Sequence, residues 1–187
     1  DQVIAAEKQV NKLEVEIDAE LASIIARRQP TARDLRLLMA ISKITGNLER
    51  AGDEADRIAR MVKQILAQGS PRNLPSSELR VASDLASGLL RKALDAFARL
   101  DVNTALVILK EDDLIDAEFD GFVRKLVTYM MEDPRSIPKI MNVIWSARSL
   151  ERIGDRCKNL AEYIIFFVKG KVVRHSSAEK LEQEARS

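Results

Sequence analysis

The sequence has one cysteine, one histidine and one tryptophan among its 187 residues, with seven glycines and five prolines. A single cysteine makes no internal disulfide. Cys157 falls among apolar residues at helical spacing and reads as a small core residue, at home in a reducing cytoplasm. The one histidine, His175, stands alone near the end of the chain. It excludes a ferritin-like di-iron oxidase, which needs Glu-x-x-His pairs projecting into a four-helix core. No glycine-rich phosphate loop, nucleophile elbow or Cys/His zinc pattern is present, so no catalysis is expected. No apolar run approaches the roughly 20 residues of a membrane span. Thirty basic and 29 acidic residues cancel to +1, so no overall field favours nucleic acid. Few glycines and prolines allow few turns. With aromatic content at 4%, the apolar residues are mainly Leu, Ile, Val and Ala, which suits long packed helices.

What is there is a hexapeptide written twice. Residues 48–53 read Leu-Glu-Arg-Ala-Gly-Asp and residues 150–155 read Leu-Glu-Arg-Ile-Gly-Asp. Each sits in a heptad seam. The first runs through Leu37, Ile41, Ile44, Leu48, Ala51, Ala55, Ile58, Val62 and Ile65. The second runs through Val143, Leu150, Ile153, Cys157, Leu160, Ile164 and Phe167, with Ser146 as its one polar member. Apolar steps of three and four mark an amphipathic helix, and a repeat of this length marks a duplicated unit. Gly52 and Gly154 lie mid-helix, where glycine costs about 1 kcal/mol relative to alanine. That cost suggests close approach of a neighbouring helix or a bound ion.

The punctuation predicts five helices. The first spans residues 1 to about 28, with Val3, Ala6, Val10, Leu13, Ile17, Leu21 and Ile24 as its stripe, and ends before Pro30. The second runs over 32–68, with Thr31 as N-cap. The third covers 77–100 and is broken by Asp101; the fourth covers 102–132 and is closed by Asp133-Pro134. Ser136 and Pro138 open the fifth as N-cap and early-turn proline, and Gly170 stops it. Trp145, Met130 and Met131 are expected in the core. The apolar stretch 163–168 reads as a buried helix end or a contact surface. The fold class is all-α, in two tandem quasi-repeated three-helix bundles. Residues 1–69 form the first repeat, 70–76 a linker, 77–175 the second repeat and 176–187 a polar tail. The first repeat has two of its three helices, so a further helix preceding Asp1 is expected, with an apolar groove along the first two helices to receive it.

Each hexapeptide carries an acidic pair one turn apart, Glu49/Asp53 and Glu151/Asp155. Like charges at this spacing cost a few tenths of a kcal/mol. Two readings stand. In one, the carboxylates are a solvated face held by ion pairs, with Asp53–Arg57 and Asp56–Arg60 in favourable order and Arg148 or Arg152 near Glu151. In the other, they bind a hard cation such as Fe³⁺, Mg²⁺, Mn²⁺ or Ca²⁺; Zn²⁺ on carboxylates alone is less typical. Asp112 and Asp116 on the preceding helix, and Glu7 and Asn11 in the first half, supply further oxygen donors to one site per half.

These motifs resemble the PhoU family. The resemblance rests on Glu49-Arg-Ala-Gly-Asp53, Glu151-Arg-Ile-Gly-Asp155, Arg28-Gln-Pro-Thr-Ala-Arg-Asp-Leu-Arg36, Tyr129-Met-Met-Glu-Asp-Pro134 and Phe167-Val-Lys-Gly-Lys171 with Arg174-His175. It spans the chain from Asp1 to about His175. It implies a cytoplasmic, non-enzymatic negative regulator of the phosphate-starvation response and phosphate uptake. The implied partners are the ATPase subunit of the phosphate ABC transporter, the sensor histidine kinase PhoR and a second copy in a homodimer. It also implies multinuclear iron or zinc clusters, or Mg²⁺ or Mn²⁺, on Glu49, Asp53, Glu151, Asp155, Asp112, Asp116, Glu7 and Asn11. Asn11 departs from a strict carboxylate pattern. Arg148, Arg152 and Arg156 form a row that could meet a partner. The alternative is a metal-binding helical scaffold with no part in phosphate signalling.

Overall fold

The computed structural model describes residues 1–67 and 76–170; the side chains of Ser76 and of residues 112–114 lie outside the description. Five helices follow in order: α1 Gln2–Arg28, α2 Ala32–Ala67, α3 Ser76–Arg99, α4 Val102–Glu132 and α5 Ile137–Lys169, with one 3-10 turn at Pro134–Ser136. The described residues contain no strand. The expected linker and the polar tail fall largely outside the described residues.

Local chemistry sets the boundaries. α1 ends on Gln29 in a left-handed conformation, φ 46°. α3 ends at Leu100, φ 54°, which turns the chain so that Asp101 N–H reaches Ala96 O at 2.9 Å. Asp101 is therefore less a breaker than a cap. Its carboxylate accepts from Asn103 N at 2.9 Å and Thr104 N at 3.1 Å at the start of α4. The Thr104 hydroxyl, with these backbone donors, holds its carboxyl below the usual range. Ser136 does not cap α5. It has helical dihedrals, and its hydroxyl donates to Asp133 O at 2.6 Å. Asp133 caps the 3-10 turn that leads into α5, accepting from Arg135 N at 3.1 Å. Gly170 closes α5 at φ 72°, with its N–H on Phe166 O at 2.8 Å.

α5 is the central helix. It packs against α2, α3 and α4, and its pairing with α2 is the most extensive in the molecule. α1 packs on α2. The main core draws Ile44 and Ala51 from α2, Ala86, Leu89 and Ala93 from α3, Ile108 and Ile115 from α4, and Leu150, Cys157, Leu160 and Ile164 from α5. A second cluster joins Phe122 and Leu126 to Ile140, Val143 and Ala147. Ser146, the polar member of the α5 seam, is fully buried and satisfied by Asn142 O at 2.8 Å. The stretch 163–168 is mostly interior, with Ile164, Ile165 and Phe167 buried.

Two expectations about the core, Trp145 and Met131, fail. Trp145 is 52% exposed and Met131 79% exposed; only Met130 of that trio packs against the core. Both exposed residues lie on sides of α5 and α4 that no described helix covers. The α1 stripe is mostly open, with Leu21 its one buried member. On α2 the buried residues follow a second line, Ala40, Asn47, Glu54 and Met61, seven apart. That line runs beside the apolar seam and carries two polar side chains.

Candidate functional site

The two hexapeptides lie on the two most extensively packed helices, α2 and α5, and each acidic pair meets a different neighbour. Gly52 of α2 faces α1: a Cβ there would sit 3.6 Å from Val10 Cγ1, ordinary contact distance. One turn away, Glu49 is half-buried and its carboxyl is pushed above the usual range. Burial is the main cause, then the charges of Asp53 and Glu14, with Glu7 adding to them and Arg50 opposing. Asn11 donates its side-chain amide to Glu7, while its own Oδ1 is buried without a partner. Glu7, Asn11, Glu49 and Asp53 thus gather along the α1–α2 seam. Glu14 joins them. It stands seven residues beyond Glu7, and that spacing was its signal in the sequence.

The second cluster lies between α4 and α5. The Glu151 side chain is 11% exposed, and Oε2 is buried without a partner. Burial pushes its carboxyl above the usual range; Arg148 opposes the shift, and Asp155 and Asp116 reinforce it. Asp116 of α4 is exposed and Asp155 half-buried. The side chain of Asp112 lies outside the described residues.

The ion pairs differ in part from those the spacing suggests. Asp56–Arg60 forms at 2.6 Å. Arg57 does not hold Asp53: it donates to both oxygens of Glu54, at 3.0 and 3.1 Å. The arginine row of α5 divides. Arg148 bonds Glu151 at 2.7 Å and lies 5.5 Å over the Phe119 ring. Arg152 reaches across to Glu54 of α2 at 3.2 Å. Arg156 is half-buried, with Nε lacking a hydrogen-bond partner. Asn159 donates to Asn47 at 3.0 Å further along the same interface. Sequence reasoning missed this polar seam, because nothing local links positions 98 apart.

The donors suit a hard cation. They are oxygen atoms only, burial and neighbouring acids raise the Glu49 and Glu151 carboxyls although Arg50 and Arg148 oppose the shift, and each cluster has a buried oxygen without a donor, Asn11 Oδ1 and Glu151 Oε2. Among the described residues no three acidic, His or Cys side chains converge on a common point.

A family model described as the PhoU domain matches residues 1–62 and 79–164. The chain belongs to the PhoU family. It is 48% identical over 184 residues to the phosphate-specific transport system accessory protein PhoU homolog of Pseudomonas putida, covering 98% of this chain and 71% of that protein. It is 46% identical over 181 residues to the phosphate-specific transport system accessory protein PhoU of Escherichia coli K12, covering 97% and 74%. The crystal structure of PhoU from Pseudomonas aeruginosa superposes with a TM-score of 0.87 at 45% identity, covering 91% of this chain and 81% of that one. The phosphate transport system regulatory protein PhoU from Streptococcus pneumoniae superposes at 0.82 with 26% identity, covering 92% and 80%.

The described residues of this PhoU chain also form a groove away from these clusters. An apolar groove of about 630 Å³ lies between α2, α3 and α5, with Val3 of α1 at its edge. Ala55, Ile58, Leu79, Leu90 and Ile153 line it. No described helix is long and apolar enough to cross a membrane.

Proposed function

We propose that this PhoU-family protein is a cytoplasmic negative regulator of the phosphate-starvation response and of phosphate uptake. The observation that carries the reading is its 46–48% identity, over 97–98% of its length, to proteins named as accessory to the phosphate-specific transport system. It acts without catalysis, as an adaptor between the ATPase subunit of the phosphate ABC transporter and the sensor kinase PhoR, and it works as a homodimer. An adaptor shifts a kinase between states only by binding one state better. Long, rigid helix faces suit that task, since they present fixed surfaces to two partners. Immobilised ATPase subunit and the cytoplasmic part of the kinase should each capture the full-length protein from solution. Capture of neither would leave only the metal-binding scaffold reading.

The two acidic clusters are the proposed switchable sites. Glu49, Asp53, Glu7 and Asn11 would hold a cation in the first, and Glu151, Asp155, Asp116 and Asp112 in the second. A bound Fe, Zn, Mg or Mn ion would supply positive charge that relieves the repulsion at Glu49 and Glu151. Titration with Mn²⁺ should raise the unfolding temperature of wild type and not of Asp53→Ala/Asp155→Ala; equal response in both would refute the assignment. The two-repeat organisation belongs to the same reading.

A further inference from the structure

The two halves of the chain meet along one pair of helices. Among the described helices, α2 with α5 is the pairing that brings the first half against the second. The polar bonds along it fall in step. Asn47 accepts from Asn159 at 3.0 Å. Seven residues on along α2, Glu54 accepts from Arg152, seven residues back along α5, at 3.2 Å. The helices are therefore antiparallel, and positions seven apart on one face positions seven apart on the other. Ala40, Asn47, Glu54 and Met61 make the α2 side of this line, all buried.

The apolar contacts beside the line repeat, so they do not by themselves distinguish one position along the helix from the next. Ile44, Ala51 and Ile58 on α2 and Leu150, Cys157 and Ile164 on α5 recur every seven residues. A slide of seven residues, about 10 Å, returns apolar residues to apolar partners. The polar pairs do not survive it. In one direction Glu54 meets Asn159 and Asn47 meets Phe166; in the other Glu54 meets Trp145 and Asn47 meets Arg152. Both slides part Arg152 from Glu54, whose side chain is 9% exposed and whose charge then loses its partner across the joint. Arg57 also bonds Glu54, but it rides on the same helix and so does not choose between positions.

We infer that Glu54–Arg152 and Asn47–Asn159 form a register lock, which fixes where the second half of the molecule sits along the first. Buried polar residues in heptad interfaces fix register in this way, at a cost in stability. The charged pair rejects the slid positions most strongly, and the asparagine pair repeats the instruction one heptad away. Because α2 and α5 make the joint between the halves, the lock also sets the spacing between the surfaces that the two halves present.

Double electron–electron resonance on the full-length protein tests the lock. Spin labels at Gln64→Cys and Val168→Cys stand at opposite ends of the joint, at exposed positions, while Cys157 is buried and stays unlabelled. With the native register intact, the labels should give one distance. Arg152→Asn/Asn159→Arg exchanges the two α5 partners without changing composition. Glu54 then reaches an arginine across the joint only after a one-heptad slide, and the distance should shorten by about 10 Å. A second variant, Asn47→Leu/Glu54→Leu/Arg152→Leu/Asn159→Leu, should fold with a urea midpoint no lower than the native chain's. It should show a second distance displaced by about 10 Å beside the first. An exchange variant that folds with the native distance would overturn the inference, as would a leucine variant that shows that distance alone. A leucine variant that does not fold would overturn it too, because the pairs would then hold the fold rather than choose its register. If the exchange variant does not fold, the leucine variant decides.

Discussion

Gly52 shows how far a single position could be read. Its repetition at Gly154 pointed to close packing or an ion, and the structure places it against Val10 with ordinary contact room for a methyl group. Packing therefore does not require glycine there. Gly52→Ala should raise stability by about 0.5–1 kcal/mol through helix propensity, read by urea unfolding. Destabilisation would mean that α1 sits closer than described. Glu49 gives a second residue-scale prediction. An acid whose folded pKa is raised favours the native state below its unfolded pKa, and that advantage is lost as pH rises through the folded value. At neutral pH without metal, Glu49 therefore opposes folding. Glu49→Gln should add a few tenths of a kcal/mol, the scale of a like-charge pair one turn apart. The gain should shrink when the buffer is acidified towards the carboxylate range. The acidic pairs themselves were legible, since a one-turn spacing needs no knowledge of neighbours. The place of Glu54 was not, since its buried carboxylate is paired by Arg57 on its own helix and by Arg152, which arrives from α5.

At the scale of elements, helix ends were legible and helix neighbours were not. Pro30, Asp133-Pro134 and Gly170 act on the backbone beside them, so each could be read in place. Trp145 and Met131 were expected inside because large apolar side chains usually are. Whether a helix covers a given face depends on packing that periodicity does not encode. The seam of α5 was read correctly because three neighbours surround it. Ile164 is fully buried there, so Ile164→Ala should cost about 2–5 kcal/mol in urea unfolding; a loss below that range would mean that the α5 end is loosely held. The α3–α4 pair gives a pH signature. Lys125 bonds Glu78 and, with the Ser77 hydroxyl, draws its carboxyl down to about 2. A depressed acid contributes stability that is present above its unfolded pKa, near 4.5, and lost as pH falls towards 2. Native-state hydrogen exchange should show the facing ends of α3 and α4 loosening across that window in wild type and less so in Lys125→Met.

At the scale of the molecule, the sequence carries one hexapeptide pattern twice, and the structure shows how the helices that hold the two copies are joined. α2 and α5 meet along a polar line, Asn47–Asn159 and Glu54–Arg152, beside the shared apolar core. Neither half of the sequence announces that line, because each partner lies in the other half. The regulatory reading began from motifs that resemble the PhoU family, and the family match and the named relatives support it. Its most direct test is phosphate-repressible alkaline phosphatase activity in the source bacterium with this gene deleted, grown in high phosphate. The account predicts constitutively high activity, returned to the repressed level by the intact gene. Normal repression in the deletion strain would contradict it.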